Sequence, residues 1–488
     1  MQNSILIISR DNHYLHDILK TEGISSNCTD EINQQAQNCG LIIFNNFTFD
    51  EKAITTLNKL STTKKSIIII NPDGKMKKLS SSIKIIPFDL VKQIYLLNQG
   101  KPAQFDKNGV FRASSTSIIK RSEKLIPQAD VLRKKLVEII EQNLPYPLPK
   151  IWHLPDKKLA GAIFSHDSDE VTDEELYRIN ELNTKHNVKA TTFMLIKTGS
   201  KKCWQSFQKS GQDLQLHQVY FYIPFCPKKF SAFAAKLISN KLTQKFQKHT
   251  LSVEKKILEK LSKKKISGVR NHGLFWLDNS TIPLWMHKVG IKFDSTLGAV
   301  HDYGYLHGTG LPYFLRMEDY TRLDVLEFPL HIMDYIYLEN KEKTRNMTKK
   351  FLDNALKYNS IITFDFHHKF LKGKILDWYI ETIGYAKKKN ILIESMTYFN
   401  DFWRKRLNLE ISNIKFQNYI LNYEIINPNN QNTDGICMTI PLTFKNKKLK
   451  TIKYGNKKIA FDKIKIDNKP YAIFEIKKDT NNVCSEFG

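Results

Sequence analysis

The chain has 488 residues, enough for two to four domains, because a single hydrophobic core rarely exceeds about 250–300 residues. Its hydrophobic content of 41% and aromatic content of 11% are typical of a folded globular protein and exclude a disordered one. No apolar run approaches the ~18–20 residues that span a bilayer, and the N-terminus lacks the basic start and apolar length of a signal peptide. These features predict a cytoplasmic protein.

The formal net charge of +26 raises the question of a polyanionic partner. Only eleven of the 75 basic residues are arginine, the residue that nucleic-acid readers favour for paired contacts to guanine and phosphate. Lysine is instead spread along the chain beside many asparagines and isoleucines, as an AT-rich genome would produce. We therefore predict no nucleic-acid partner. Compositional bias explains the charge, and the alternative explanation is peripheral association with an anionic membrane.

The six cysteines are scattered, and none belongs to a C-x-x-C pair. This argues against a zinc-finger site and against a disulfide framework. We expect reduced thiols that serve mostly as small core residues.

The first segment, residues 1–105, alternates short apolar runs with amphipathic stretches. SILIIS, GLIIFNN and SIIIINP are predicted strands, and the stretches between them are predicted helices. This alternation is typical of a small parallel α/β domain. The segment has no glycine-rich phosphate-binding motif, so we assign it no nucleotide and expect a role in docking or structural support.

Three further segments follow. Residues 106–156 are predicted to be a helical and proline-rich connector, because ADVLRKKLVEIIEQN leads into the four prolines of LPYPLPKIWHLP. Strand and helix candidates alternate again over residues 157–405. Residues 406–488 contain short strand candidates separated by Asn, Gly and Lys turns, which predicts a β-sandwich.

The stretch AIFSHDSDE, residues 162–170, places two carboxylates at the end of a predicted strand. One aspartate suffices to cap the helix that the following residues predict, so the second needs another explanation. Asp167 and Asp169 are therefore candidates for chemistry.

Polar residues recur at the ends of later predicted strands. GQDLQLH ends at His217, GVRNH carries Arg270 and His272, GIKFD ends at Asp294, and TFDFHH ends at His367 and His368. Taken singly, each residue has an ordinary structural explanation: a histidine hydrogen-bonded within the fold, a salt bridge or a turn. A hydrolytic metal site requires carboxylates, imidazoles and an arginine, and here they follow one another at the ends of predicted strands. In barrels of alternating strands and helices, the carboxyl ends of the strands carry the active site.

This order of motifs resembles the polysaccharide deacetylase family (NodB-homology carbohydrate esterases), in the subgroup whose first motif reads Ser/Thr-His-Asp-x-Asp. SHDSDE, KATTFMLI, GQDLQLH, GVRNHGLFW, GIKFDSTLG, LEFPLHIMD and TFDFHH are similar to the family's segments in sequence order, over about residues 157–400. The resemblance implies an α/β protein: a distorted (β/α) barrel of deacetylase type, flanked by the small N-terminal α/β domain and the C-terminal β-sandwich domain.

The resemblance also implies roles for individual residues. Asp167 falls on the general base, which Arg270 would orient, and Asp169 and His217 fall on metal ligands. His367 falls on the general acid, with His368 as the alternative. Asp294 would support the site, and Asp294 or Asp365 is expected to stand beside the acid.

One position departs from the family pattern. Four residues beyond His217, where the family has a second metal-binding histidine, this chain has Phe221, which cannot bind a metal. His272 lies two residues after Arg270, on the same face of the predicted strand, and is the candidate replacement. The expected cofactor is a divalent metal, with zinc the first choice.

The implied activity is hydrolysis of the carbon–nitrogen bond of an acetylated sugar or polysaccharide, in cell-surface glycan metabolism. Phe221 supports an alternative, a catalytically degenerate deacetylase-fold protein that binds glycan or scaffolds a glycan-synthesis complex. A carbohydrate is the expected partner in both cases.

Overall fold

The computed structural model describes residues 4–11, 13–32, 36, 39–62, 66–72, 83–102, 104, 113–219, 241–339, 341–477 and 482–488. Phe221 and Cys226 lie outside the described residues. The chain forms two compact units. Unit 1 consists of residues 1–95, 131–157 and 402–488, and unit 2 of residues 96–130 and 158–401. The division into four domains stays a prediction. Unit 1 combines most of the first predicted segment and all of the last with residues 131–157, and unit 2 contains most of the third.

The strands are numbered in chain order. They are β1 Ile5–Ser9, β2 Asn27–Thr29, β3 Leu41–Asn45, β4 Ser66–Ile70, β5 Ile83–Ile86, β6 Lys150–Ile151, β7 Gly161–Asp167, β8 Thr191–Met194, β9 Asp213–Gln218, β10 Gly268–Asn271, β11 Phe293–Asp294, β12 Tyr313–Arg316, β13 Arg322–Glu327, β14 Ile332–Met333, β15 Ile361–Asp365, β16 Leu392–Ile393, β17 Glu410–Gln417, β18 Ile420–Ile426, β19 Cys437–Pro441, β20 Thr443–Phe444, β21 Lys447–Tyr454, β22 Lys457–Ile459, β23 Asp462–Ile466, β24 Lys469–Glu475 and β25 Asn482–Phe487.

The α-helices span Tyr14–Thr21, Glu51–Thr62, Leu90–Gln99, Gln128–Asn143, Asp173–Lys185, Lys201–Ser210, Lys241–Ser262, Thr281–Lys288, Tyr335–Glu339, Lys341–Tyr358, Gly373–Lys388 and Met396–Asn408. Within the described residues, no helix is both long enough and apolar enough to cross a lipid bilayer.

Unit 1 contains a parallel sheet and an antiparallel region. The parallel sheet has the order β2-β1-β3-β4-β5, and its central strands β3 and β4 are almost wholly buried isoleucine-rich runs, as strands covered on both faces require. The antiparallel region has two sheets, β17-β18-β25-β21-β20 with β22 on β21, and β23-β24-β19-β6.

Unit 2 is built on one ten-stranded sheet of order β12-β13-β11-β10-β9-β8-β7-β15-β14, with β16 paired to β7. Its strands are parallel except for the β12–β13 pair. Two apolar clusters fill the unit, one around Phe164, Phe364 and Trp378 and the other around Leu216 and Trp276. The predicted α/β class is confirmed, and the parallel strands bring their carboxyl ends to one edge.

Candidate active site

The candidate site lies at the carboxyl ends of neighbouring strands in unit 2. Asp167 is the last residue of β7, and Asp365 is the last residue of β15, which pairs with β7 in parallel. His217 near the end of β9 stands opposite Arg270 in β10. Because every residue of β7 is buried, the apolar run GAIFS fixes the strand and delivers Asp167 to this edge.

Asp167 is held by the guanidinium of Arg270. Its Oδ1 accepts a hydrogen bond from an Arg270 terminal nitrogen at 2.9 Å, and the same nitrogen lies 3.0 Å from Oδ1 of Asp365. Burial by itself would raise the pKa of Asp167, but the charges of Arg270 and His217 outweigh burial and lower it. Asp167 is therefore an ionised, fixed carboxylate, as a general base must be.

Arg270 is itself immobilised. Its Nε donates to the carbonyl of Ser295 and its second terminal nitrogen to the hydroxyl of the same residue, both at 2.9 Å. The guanidinium also lies 4.3 Å from the centre of the Phe193 ring. Full burial and this set of partners leave the side chain one position, and that position faces Asp167.

Asp169, His217 and His272 form a group with the composition of a metal site. His217 Nε2 lies 3.2 Å from Asp169 Oδ1, and His272 Nε2 lies 3.4 Å from Asp169 Oδ2. One ligand atom from each of the three residues lies within 4.8 Å of the other two. β10 ends at Asn271, so His272 does not lie on the strand face from which it was proposed, and it begins the short 3₁₀ turn that follows β10, beside Asp169. Its role as a metal ligand stays a prediction.

Two buried atoms of this group, Oδ1 of Asp169 and Nε2 of His217, face each other at 3.2 Å and have no other hydrogen-bond partner among the described residues. The other ring nitrogen of His217 hydrogen-bonds to the carbonyl of Arg270 at 2.9 Å, so it carries the hydrogen and leaves the Nε2 lone pair directed at Asp169. Buried ligand atoms without partners fit a cation better than they fit an empty core.

The electrostatics of His217 agree with a cation at this place. Burial lowers the pKa of His217, but Asp167 and Asp169 raise it by more, so the net shift is upward. The two carboxylates therefore stabilise positive charge on or beside the ring, and a metal ion would supply that charge in place of a proton.

His367 occupies the opposite side of the site. Its Nδ1 lies 2.9 Å from Oδ1 of Asp334, and its backbone N–H donates to Oδ2 of the same carboxylate at 2.6 Å. Its Nε2 faces the site, 3.8 Å from Asp169 Oδ2. Burial lowers the pKa of His367, but Asp365 and Asp334 reverse this and raise it to about 10. The ring is therefore a protonated donor at neutral pH.

His368 points away from this cluster. Its Nδ1 contacts the carbonyl of Asp167 at 3.3 Å, and its ring lies 5.0 Å from that of His166. Burial lowers the pKa of His368 to about 4, so its ring is neutral. Of the two adjacent histidines, only His367 combines a charge with a position among the carboxylates.

Asp294 lies beside Arg270 but does not contact His367 among the described residues. Its Oδ1 accepts a 2.6 Å hydrogen bond from the Thr296 hydroxyl, and its strand partner is Glu327. Burial raises the pKa of Asp294 to about 6, and burial with the charge of Asp294 raises that of Glu327 well above its usual value. Asp294 is therefore mostly ionised at pH 7, and Glu327 keeps its proton to a higher pH than Asp294 does.

Sequence reasoning gave no role to Asp334, the carboxylate that contacts His367. The signal was present, because LEFPLHIMD ends at Asp334 directly after β14, the same strand-end position that identified the other residues. Tyr335 follows it, half-buried, with its ring 5.1 Å from that of His367, where it can contact a substrate. Asp365 contacts both Arg270 and His367, at 3.0 and 3.7 Å.

No protein-family model and no curated protein matches the chain. Solved structures do match, at low similarity. A Streptococcus mutans CE4 esterase is 15% identical, with 49% of this chain and 86% of that chain covered and a TM-score of 0.33. A CE4-family pseudoenzyme from Bacillus anthracis is 12% identical over 51% of this chain and 66% of its own, with a TM-score of 0.29.

A third structure, the novel carbohydrate deacetylase Agd3, is 8% identical and matches 100% of this chain and 99% of its own, with a TM-score of 0.37. At such identities and TM-scores the likenesses carry no argument about activity, so the case for function rests on the site geometry. These three solved structures are a CE4 esterase, a CE4-family pseudoenzyme and a carbohydrate deacetylase.

Proposed function

We propose that this protein is a metal-dependent hydrolase that removes acetyl groups from an acetylated sugar or polysaccharide in cell-surface glycan metabolism. One arrangement carries the proposal. Oδ1 of Asp169 and Nε2 of His217 face each other, with no other hydrogen-bond partner among the described residues, between a buried carboxylate fixed by Arg270 and a histidine charged by Asp334. Hydrolysis of an amide can use a metal ion together with a general base and a general acid, and this site offers residues for all three.

Asp169, His217 and His272 would hold the metal. Two imidazoles and a carboxylate suit zinc, and three protein ligands leave a position open for water or substrate. When bound, such an ion lowers the pKa of water and polarises a carbonyl oxygen. His272 is the half-exposed member of the group, with 48% of its side chain exposed, so it is the ligand most accessible from solvent.

The remaining residues move the protons. Asp167 accepts a proton from water as the water oxygen forms a bond to the acetyl carbon, and Arg270 keeps the carboxylate in place. His367 gives its Nε2 proton to the sugar nitrogen as the carbon–nitrogen bond breaks. The products are acetate and a free amine, and the proton on Asp167 returns to solvent or to His367. In this proposal the ten-stranded sheet of unit 2 is the distorted barrel of a deacetylase.

The test combines metal analysis of the purified full chain with acetate release from N-acetylated oligosaccharides. We expect bound zinc and measurable acetate. Asp167→Asn should abolish turnover and leave the metal content unchanged, because the proposed ligands are Asp169, His217 and His272, and Asp167 belongs to a separate group with Asp365 and His367. His272→Ala should lower metal affinity at least about tenfold, by loss of one of three ligands, whereas His287→Ala, at an exposed histidine outside the site, should not.

Two results would contradict the proposal. Metal loss with intact turnover in Asp167→Asn would refute the assigned roles. Metal-free protein that binds the oligosaccharide without releasing acetate would favour the degenerate, glycan-binding alternative.

A further inference from the structure

The helix Lys241–Ser262 exposes a row of large apolar side chains. Val253, Ile257 and Leu261 are 36%, 39% and 39% exposed, and their four-residue spacing places them one above the other on the helix. We call these three residues the helix stripe. The opposite side of the helix is already used, because Leu251 and Leu258 are fully buried in the core of unit 2. The stripe is therefore an apolar face beyond what folding requires.

Lysines surround the helix stripe. Lys256 and Lys260 are exposed in the same turns, and Lys263 and Lys265 are exposed just beyond the end of the helix. The nearby acidic residues do not offset them on this face. Glu259 pairs with Lys255 at 2.9 Å, and Glu254 is half-buried with a hydrogen bond to Gln218. The face therefore combines apolar side chains with uncompensated positive charge.

The combination decides between two classes of polyanion. Lysines alone would suit a nucleic acid or an anionic membrane equally well. A phosphodiester backbone offers nothing to a row of Val, Ile and Leu, whereas the boundary between lipid headgroups and acyl chains accepts both parts. Lysine is also suited to this boundary, because its hydrocarbon stem lies along apolar surface while the ammonium reaches the phosphates.

From this charge and apolar complementarity we propose that the exposed face of the helix Lys241–Ser262 docks on an anionic lipid surface. The inference is independent of the hydrolase proposal. The same helix packs against β9, the strand that carries His217.

The test is sedimentation of the full chain with vesicles at physiological salt. Vesicles of phosphatidylcholine with about one-third phosphatidylserine should bind the protein, and vesicles of phosphatidylcholine alone should bind it much less. The pair Lys256→Gln and Lys260→Gln should weaken partitioning by roughly 30-fold, about fivefold for each lysine. The control pair Lys448→Gln and Lys463→Gln, exposed lysines of unit 1, should bind as the wild type does.

The triple variant Val253→Asn, Ile257→Asn, Leu261→Asn separates the two classes of partner. It should lose vesicle binding by at least tenfold while thermal unfolding confirms that it remains folded. Unchanged vesicle binding by this variant, equal weakening by both lysine pairs, or no vesicle binding by the wild type would each overturn the proposal. Binding to nonspecific DNA at the same salt, lost only in the Lys256 and Lys260 variant, would assign the surface to nucleic acid instead.

Discussion

Asp334 controls the charge of the residue that we expect to protonate the leaving group. Its two oxygens contact the ring and the backbone N–H of His367 at 2.9 and 2.6 Å. Burial lowers the pKa of His367, and Asp365 and Asp334 together raise it to about 10. Replacing Asp334 by asparagine keeps the shape of the side chain and removes one of the carboxylate charges that hold the proton.

The expected size of the effect follows from the pKa. Asp365 stays in this variant, so the largest possible effect is a return of the pKa of His367 to its ordinary value of about 6.5, at which about one ring in ten is protonated at pH 7.5. The turnover number kcat should therefore fall by up to about tenfold at pH 7.5 and up to about 100-fold at pH 8.5, and should approach the wild-type value below about pH 6. The stability of the fold also depends on the protonation of His367, and it too decreases as the pH rises. A raised histidine pKa stabilises the fold fully below about pH 6.5, and this contribution disappears as the pH rises through about 10.

The assay is the initial rate of acetate release across the pH range, with metal content measured in the same samples. Asp319→Asn, which removes an exposed carboxylate, is the matched control. A fall in kcat of equal size at every pH would show that Asp334 only orients the ring. An alkaline limb in the same position in Asp334→Asn and wild type would refute the electrostatic argument.

Two further predictions concern the residues beside Arg270. Burial raises the pKa of Asp294 to about 6, so the stability of its protonated form is complete below about pH 4 and is lost as the pH rises through about 6. Asp294→Asn should therefore lose less stability than the wild type between pH 3 and pH 7, by up to about 3 kcal/mol, and parallel melting curves would contradict this. At Gly268, a Cβ would lie 2.0 Å from the Phe293 ring, so Gly268→Ala should destabilise the fold by about 1–3 kcal/mol in urea titrations. Adding Phe293→Leu should restore part of that loss, and an unaffected Gly268→Ala variant would show that the strands move apart freely.

The positions of most site residues could be predicted because each ends an apolar run, and the carboxyl ends of parallel strands converge. Asp167, His217, Arg270 and His367 were found in this way, and all four lie at one edge of the sheet. The strand-end position favoured His367 as the acid and left His368 as the alternative, because neighbouring side chains diverge at a strand end. Contacts with Asp334 and Asp167 make that choice in the fold.

The strand order could not be predicted, because its decisive pairs are remote in sequence. β7 pairs with β15, and His166 contacts the carbonyl of Phe366 across 200 positions. Asp334 was missed for a related reason. It acquires a role only because β14 lies next to β15 and so sets its carboxylate against His367.

Arg270 anchors two functional groups through two different parts of itself. Its guanidinium fixes Asp167, while its main-chain carbonyl fixes the ring of His217. A small shift of β10 would therefore move the base and the ligand in the same direction and leave the distance between them unchanged. Substitutions that shift this strand can change the position of the site without changing the spacing of Asp167 and His217, provided that residue 270 remains arginine.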